Sequence, residues 1–136
     1  MKSFREAIEA KDMDAVEAML ADDVVFTSPV AFRPYPGKAI TAAILRGVVK
    51  VFDDFRYVRE IQGGAHHAYE FVATVDGLEI NGCDFLTWND EGKIVDFKVM
   101  VRPLRAAEAL AARMGAQFAS IKAEADAFEA EAAEAG

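Results

Sequence analysis

A chain of 136 residues with 23 acidic and 15 basic side chains carries a net charge of −8, which offers neither a nucleic acid nor an anionic membrane surface a partner by charge. Its 53% hydrophobic and 28% charged residues fit one globular domain, large enough to bury a core without staples. A lone cysteine, Cys83, excludes an internal disulfide and points to a reducing, cytoplasmic setting. The opening "MKSFREAIEAK" is charged throughout and reads as no secretory leader. Arg46 and Lys50 interrupt the longest apolar run, so no membrane span is expected.

Ser3 precedes Glu6 at capping-box spacing and opens a helix through Phe4 and Ile8. Asp12 caps a second helix with Val16, Met19 and Leu20 on its apolar side. "VVFTSPV" reads as a short strand, and the prolines of "AFRPYPG" forbid a central strand there. Ile40, Ile44, Val48 and Val51/Phe52 restore helical spacing from Lys38 onward. The period then changes to two. "FRYVREIQ", "HAYEFVATV", "EINGCDFLTW" and "KIVDFKVMV" are strand-length runs separated by Gly63-Gly64, Asp76-Gly77 and Asn89-Asp90-Glu91-Gly92. Four such strands make an antiparallel meander, and helices gathered before it pack on one face, giving an α+β domain. Pro103 starts a last helix whose stripe runs Leu104, Ala107, Leu110, Met114, Phe118, Ile121, Ala125, Phe128. Gly115 is expected to break or bend it, dividing the chain into a domain over 1–114 and an acidic helical extension over 115–136. That extension reads as a fraying tail or as a docking arm for a second subunit.

Asp84 stands mid-strand between Gly82 and Leu86, where a carboxylate is costly unless paired or neutralised. If Asp84 faces inward, strand alternation turns Leu86 and Trp88 the same way, with Tyr69, Phe71, Ala73 and Val75 on one neighbouring strand and Phe97, Val99 and Val101 on the other. One acid in an apolar, aromatic concavity is the signature of a ligand site, with its pKa raised by desolvation. His66 and His67 are adjacent, so they point to opposite faces and cannot share an ion; no metal or cofactor site is read. On the other face Val72, Cys83, Phe85 and Met100 form an apolar patch bordered by Glu70, Asp96, Lys98 and Arg102, with the basic pair expected to meet the acidic one.

The stretches "SFREAIEAKDMDAVEAMLADDVVFTSPV", "GKAITAAILRGVVKVF" and "CDFLTWNDEGKIVDF" resemble the nuclear transport factor 2-like superfamily, which includes the ketosteroid isomerases and the SnoaL-like polyketide cyclases. The resemblance runs to about Met114 and implies a cone-shaped fold in which helices close a curved sheet over a deep apolar pocket. Set against an isomerase, it places Asp84 at the neutral, oxyanion-stabilising aspartic acid. Ser28 falls at the general base and Phe4 at the oxyanion-hole tyrosine. Ser28 is no base at neutral pH and Phe4 has no hydroxyl. Losing a general base costs about 10² to 10⁴ in rate, so steroid isomerisation is not expected. Limonene-epoxide-hydrolase relatives use an Asp-Arg-Asp set, where this chain has Tyr69, Phe71 and Val99. SnoaL-like cyclases use a single acid/base aspartate, for which Asp84 is the candidate, but Asp96-Phe97 replaces their His-Trp pair.

Three readings follow. In the first, Phe26, Ser28, Tyr69, Phe71, Asp84, Leu86, Trp88, Phe97 and Val99 line a pocket for a small apolar molecule, with Asp84 a neutral acid donating to a ligand oxygen. In the second, the chain is a cofactor-independent isomerase, cyclase or hydrolase-type enzyme with Asp84 as catalytic acid/base. In the third, it is an interaction module. The resemblance implies a homodimer through the outer face at Val72, Phe85 and Met100.

Overall fold

The computed structural model describes residues 2–135, with side chains to residue 133. Ser3 and Glu6 exchange both bonds of the capping box at the head of α1 (Phe4–Glu9). Asp12 caps α2 (Met13–Met19) by accepting the Ala15 N–H at 3.2 Å. Leu20, expected to close that helix, instead opens β1 (Leu20–Thr27). The Pro-rich segment contributes only a two-residue edge strand, β2 (Tyr35–Pro36), consistent with the donors its prolines lack. Next come α3 (Lys38–Val51), β3 (Asp53–Gly63), β4 (His66–Val75), β5 (Leu78–Trp88), β6 (Ile94–Arg102) and α4 (Leu104–Ala135).

The four late strands pair in succession as an antiparallel meander. Asp76 (φ 50°) and Gly77 (φ 77°) supply the two left-handed residues that a tight β4–β5 hairpin requires. β1 then lies parallel to β6, so the six strands run β2-β1-β6-β5-β4-β3 and the sheet is mixed. The helices cover its concave face, and the result is the α+β cone. Arg46 ties α3 to α2 through Glu17 (2.6 Å) and Asp14 (3.0 Å).

Two expectations for the last helix change. Gly115 does not interrupt α4, which is helical throughout, so no break in the backbone marks Met114. The stripe starts at Ala106, because Leu104 is exposed. Ile121 and Ala125 are buried, and a Cβ on Gly47 of α3 would lie 3.0 Å from Ile121 Cδ1, so α4 seats against α3 well beyond Gly115. Among the described residues, no helix is long and apolar enough to cross a membrane.

On the outer face Phe85 is 41% and Met100 56% exposed, with Ile61 of β3 extending the patch and Val72 half-buried. Ile61, Phe85 and Met100 line a groove of about 410 Å³. Glu70 does not meet the basic pair of β6. Arg59 binds it at 3.1 Å and the Asn81 amide donates to it at 3.1 Å.

Candidate functional site

Alternation along β5 buries Ile80, Gly82, Asp84 and Leu86 and turns Cys83 and Phe85 outward, so Asp84 faces the concave side. At 7% exposure it is the one Asp, Glu, Lys or Arg side chain buried among the described residues. Its Oδ2 accepts a 2.6 Å hydrogen bond from the Tyr57 hydroxyl. Its Oδ1 has no protein partner, yet no buried side-chain oxygen of the described residues is left unsatisfied, so Oδ1 keeps accessible area on the cavity. Burial raises the carboxyl to about 7, with the Tyr57 hydroxyl pulling it back down. The Tyr57 phenol is itself pushed well above 10, by burial first and by Asp84 second. At neutral pH the pair therefore holds a firmly protonated phenol against a carboxyl near its midpoint.

Tyr57 belongs to the edge strand β3, and α1 fixes it there. Glu9 accepts the Tyr57 N–H (3.2 Å), Arg5 donates to the Tyr57 carbonyl (3.1 Å), and the two side chains meet at 3.4 Å. The backbone groups an edge strand leaves open are thus satisfied by one ion pair. From this position the phenol reaches across β4 to a carboxyl two strands away.

The cavity measures about 350 Å³. Six of the nine expected residues line it: Phe26, Ser28, Phe71, Asp84, Phe97 and Val99. Tyr69, Leu86 and Trp88 face the concave side but lie off its wall. The ring of Phe4 stacks on Tyr69 at 5.1 Å and edges against Phe97 at 5.7 Å, filling that end of the cone. The Trp88 indole N–H donates to His67 Nδ1 at 3.1 Å. The Tyr69 hydroxyl also lies 3.1 Å from that nitrogen. Burial pushes the Tyr69 phenol up to about 12, with Glu60 and Asp84 adding to it. Ser28 sits at the rim, where its Oγ accepts the Val30 N–H at 3.1 Å. Phe4, which has no hydroxyl, lies off the cavity wall, and the hydroxyl that bonds Asp84 is that of Tyr57.

Several wall residues had escaped the sequence reading: Phe55 and Tyr57 of β3, Ile44 and Val48 of α3, and Leu110 and Met114 of α4. The Phe55 ring stacks on Phe71 at 5.0 Å and stands edge-on to Tyr57 at 5.0 Å. Polar groups around the wall are mostly acidic, with Glu9, Asp53, Asp54 and Asp84 against Lys11. Lys11 (φ 57°) and Asp54 (φ 52°) are held in the left-handed region, a strained conformation for residues with a Cβ. His66 and His67 bond in different directions, His66 to Thr87 at 3.1 Å and His67 to Tyr69, as adjacent strand residues must.

A six-stranded sheet wrapped around an aromatic cavity, closed by N-terminal helices, defines the nuclear transport factor 2-like class. The model of the SnoaL-like domain matches residues 1–97, and the chain belongs to that family. A steroid delta-isomerase from Pseudomonas aeruginosa is 39% identical with a TM-score of 0.81, over 86% of this chain and 87% of its own. An uncharacterized cystatin-like-fold protein from Silicibacter pomeroyi is 36% identical with a TM-score of 0.81, over 84% and 81%. A Xanthomonas campestris protein of unknown function shares the fold at 24% identity and a TM-score of 0.65, over 79% and 92%. No curated protein matches the chain.

Proposed function

We propose that the chain is a binding domain for a small apolar molecule whose one polar group meets Asp84. The observation that carries this reading is a buried carboxyl on the wall of a cavity lined by Phe26, Phe55, Phe71 and Phe97, with only its Oδ2 taken by a protein partner. The likeness to a protein named as a steroid isomerase supports an apolar ligand, although Ser28 supplies no base for isomerisation. The acidic wall argues against an anionic ligand: a carboxylate would meet Asp53 and Asp54, and Asp84 when ionised, with Lys11 in its favour and Glu9 already paired with Arg5. Neutral ketones, alcohols or protonated amines suit it. A cytoplasmic location accompanies this reading and rests on the single free thiol of Cys83.

Thermal shifts with one phenylbutyl skeleton bearing a ketone, alcohol, amine or carboxylate test it. At a hundredfold excess over Kd, stabilisation reaches about 2.7 kcal/mol, a rise of several degrees in Tm. The first three compounds should produce it and the carboxylate should not. No shift with any of them favours the interaction module, and a carboxylate that binds best overturns the charge argument.

A second reading, cofactor-independent acid–base catalysis, is favoured by a carboxyl near neutrality, which can both take and give a proton. We also propose that a second copy covers the outer face. Phe85 and Met100 supply its apolar centre, and Arg59 and Glu70 border the groove with both signs of charge, as a self-complementary contact needs. Phe85→Glu should then give a monomer by light scattering, since it buries an unpaired charge. An unchanged mass would place the contact elsewhere.

A further inference from the structure

Phe32 is 98% exposed, the most exposed large apolar side chain of the described residues. A single surface phenylalanine is unremarkable in itself. This one lies in the 28–34 connection between β1 and β2, whose first residues, Ser28, Pro29 and Val30, form part of the cavity wall. Val30 faces both cavity and solvent, with 39% of it exposed. Phe32 is two residues on, so its Cα lies within about 7 Å of Val30 Cα. The ring is therefore within reach of the mouth.

The connection is fixed at its feet and free at its tip. Val25 pairs with Pro36 and Phe26 with Tyr35, which holds both ends. Between them no turn or loop backbone bond ties residues 28–34 to the body, and the one local bond is that from the Val30 N–H to Ser28 Oγ. Moving the tip breaks no ladder. Pro29 and Pro34 restrict the backbone, so ordering the loop costs less entropy than a flexible segment of equal length would.

We propose that Phe32 is a ligand-contact residue: the 28–34 loop folds inward over a filled cavity and lays the ring across the mouth. The inference rests on the ligand-binding reading above and adds an orientation to it. The polar group of the ligand enters first, to Asp84, and an apolar end trails under Phe32. Its specificity is for length. A molecule that ends inside the cavity never meets the ring, and one that projects from the mouth does.

The test uses methyl ketones from 2-octanone to 2-tridecanone on the full chain, with calorimetric Kd values for the natural sequence and Phe32→Ala. The variant should fold and melt unchanged without ligand, because the ring touches little. Long ketones should bind about tenfold more weakly to it, and the shortest equally well. A tryptophan reporter, Phe32→Trp with Trp88→Phe, should shift its emission to the blue only with long ketones. If ketones bind and Phe32→Ala loses affinity for none, or for all alike, this inference fails while the binding reading stands. If no methyl ketone binds the natural chain, this inference fails, and the binding reading fails with it only if the phenylbutyl ketone, alcohol and amine also give no thermal shift. A change in molecular mass on Phe32→Ala would make the residue a contact between chains and overturn the proposal.

Discussion

The Asp84 side-chain carbon should titrate with a midpoint near 7, and Tyr57→Phe should move that midpoint higher. Burial holds the carboxyl up and the Tyr57 hydroxyl is the one group pulling it down, so its removal leaves burial unopposed. A midpoint at or below the ordinary 3.8 would mean a solvated or ion-paired carboxylate and would sink the proposed role. The consequence for stability has a definite sign. Below pH 3.8 the folded and unfolded chains are both protonated at this site, and its contribution is intact. Between there and about 7 the unfolded chain releases the proton while the folded one keeps it, so stability falls with rising pH and levels off above. A span from 3.8 to about 7 corresponds to a loss of roughly 4 kcal/mol. Asp84→Asn removes this slope, keeps the size and leaves the fold as firm or firmer at neutral pH. It should retain simple binding and abolish any acid–base turnover. Asp84→Leu should weaken binding too, and it leaves the buried Tyr57 hydroxyl without its partner, a cost of about 1–3 kcal/mol.

Asp84 was legible because strand alternation is a local rule, and four strands with short turns leave little freedom in which face each residue takes. Tyr57 was not legible, for two reasons that lie outside any one strand. β3 carries register shifts between Asp53 and Arg56 and between Tyr57 and Arg59, so its alternation cannot be carried through from sequence. The direct cross-strand neighbour of Asp84 is Tyr69, which alternation offers first. A tyrosine ring places its oxygen well beyond its own Cβ, so a phenol opposite the carboxyl overshoots it. That of Tyr69 ends on His67, and the one of the right reach starts a strand further away. The same limit hid the helical wall. Ile44, Val48, Leu110 and Met114 stand at ordinary core spacing, and nothing in their pattern separates a residue facing a neighbour from one facing a cavity. The β1–β6 pairing was hidden as well, because a parallel contact between the first and last long strands has no turn to announce it. At α4 a helix former's tolerance for one glycine outweighed the expectation of a break, with Ile121 and Ala125 burying the turns beyond it.

Gly82→Ala should lower Tm by roughly 3–10 °C, a loss of about 1–3 kcal/mol in a domain of this size. Gly82 lies opposite Phe71 on β4 and Val101 on β6, and the Phe71 ring lies over it. A Cβ there would stand 2.3 Å from Phe71 Cζ, 2.6 Å from Cε2 and 2.9 Å from the Met100 carbonyl oxygen. The carbonyl belongs to the sheet and cannot give way cheaply, so the ring must move. Phe55 stacks on it at 5.0 Å and Phe52 leans on it at 5.6 Å, which leaves the cavity as the open direction. The substitution should therefore act twice, straining the aromatic stack and filling the space beside Asp84. Thermal shifts with the phenylbutyl ketone should shrink or vanish in the variant. Gly82 is not at a positive φ, so an alanine there without the clash would gain about 0.4–1 kcal/mol through the unfolded chain. The measured loss is net of that gain. The decisive comparison is a double-mutant cycle with Phe71→Leu, whose shorter side chain relieves the contact. The second change should cost less in the Gly82→Ala background than alone, with a coupling of at least about 1 kcal/mol. Additive effects would mean that the alanine is accommodated elsewhere and that Gly82 does not shape the cavity.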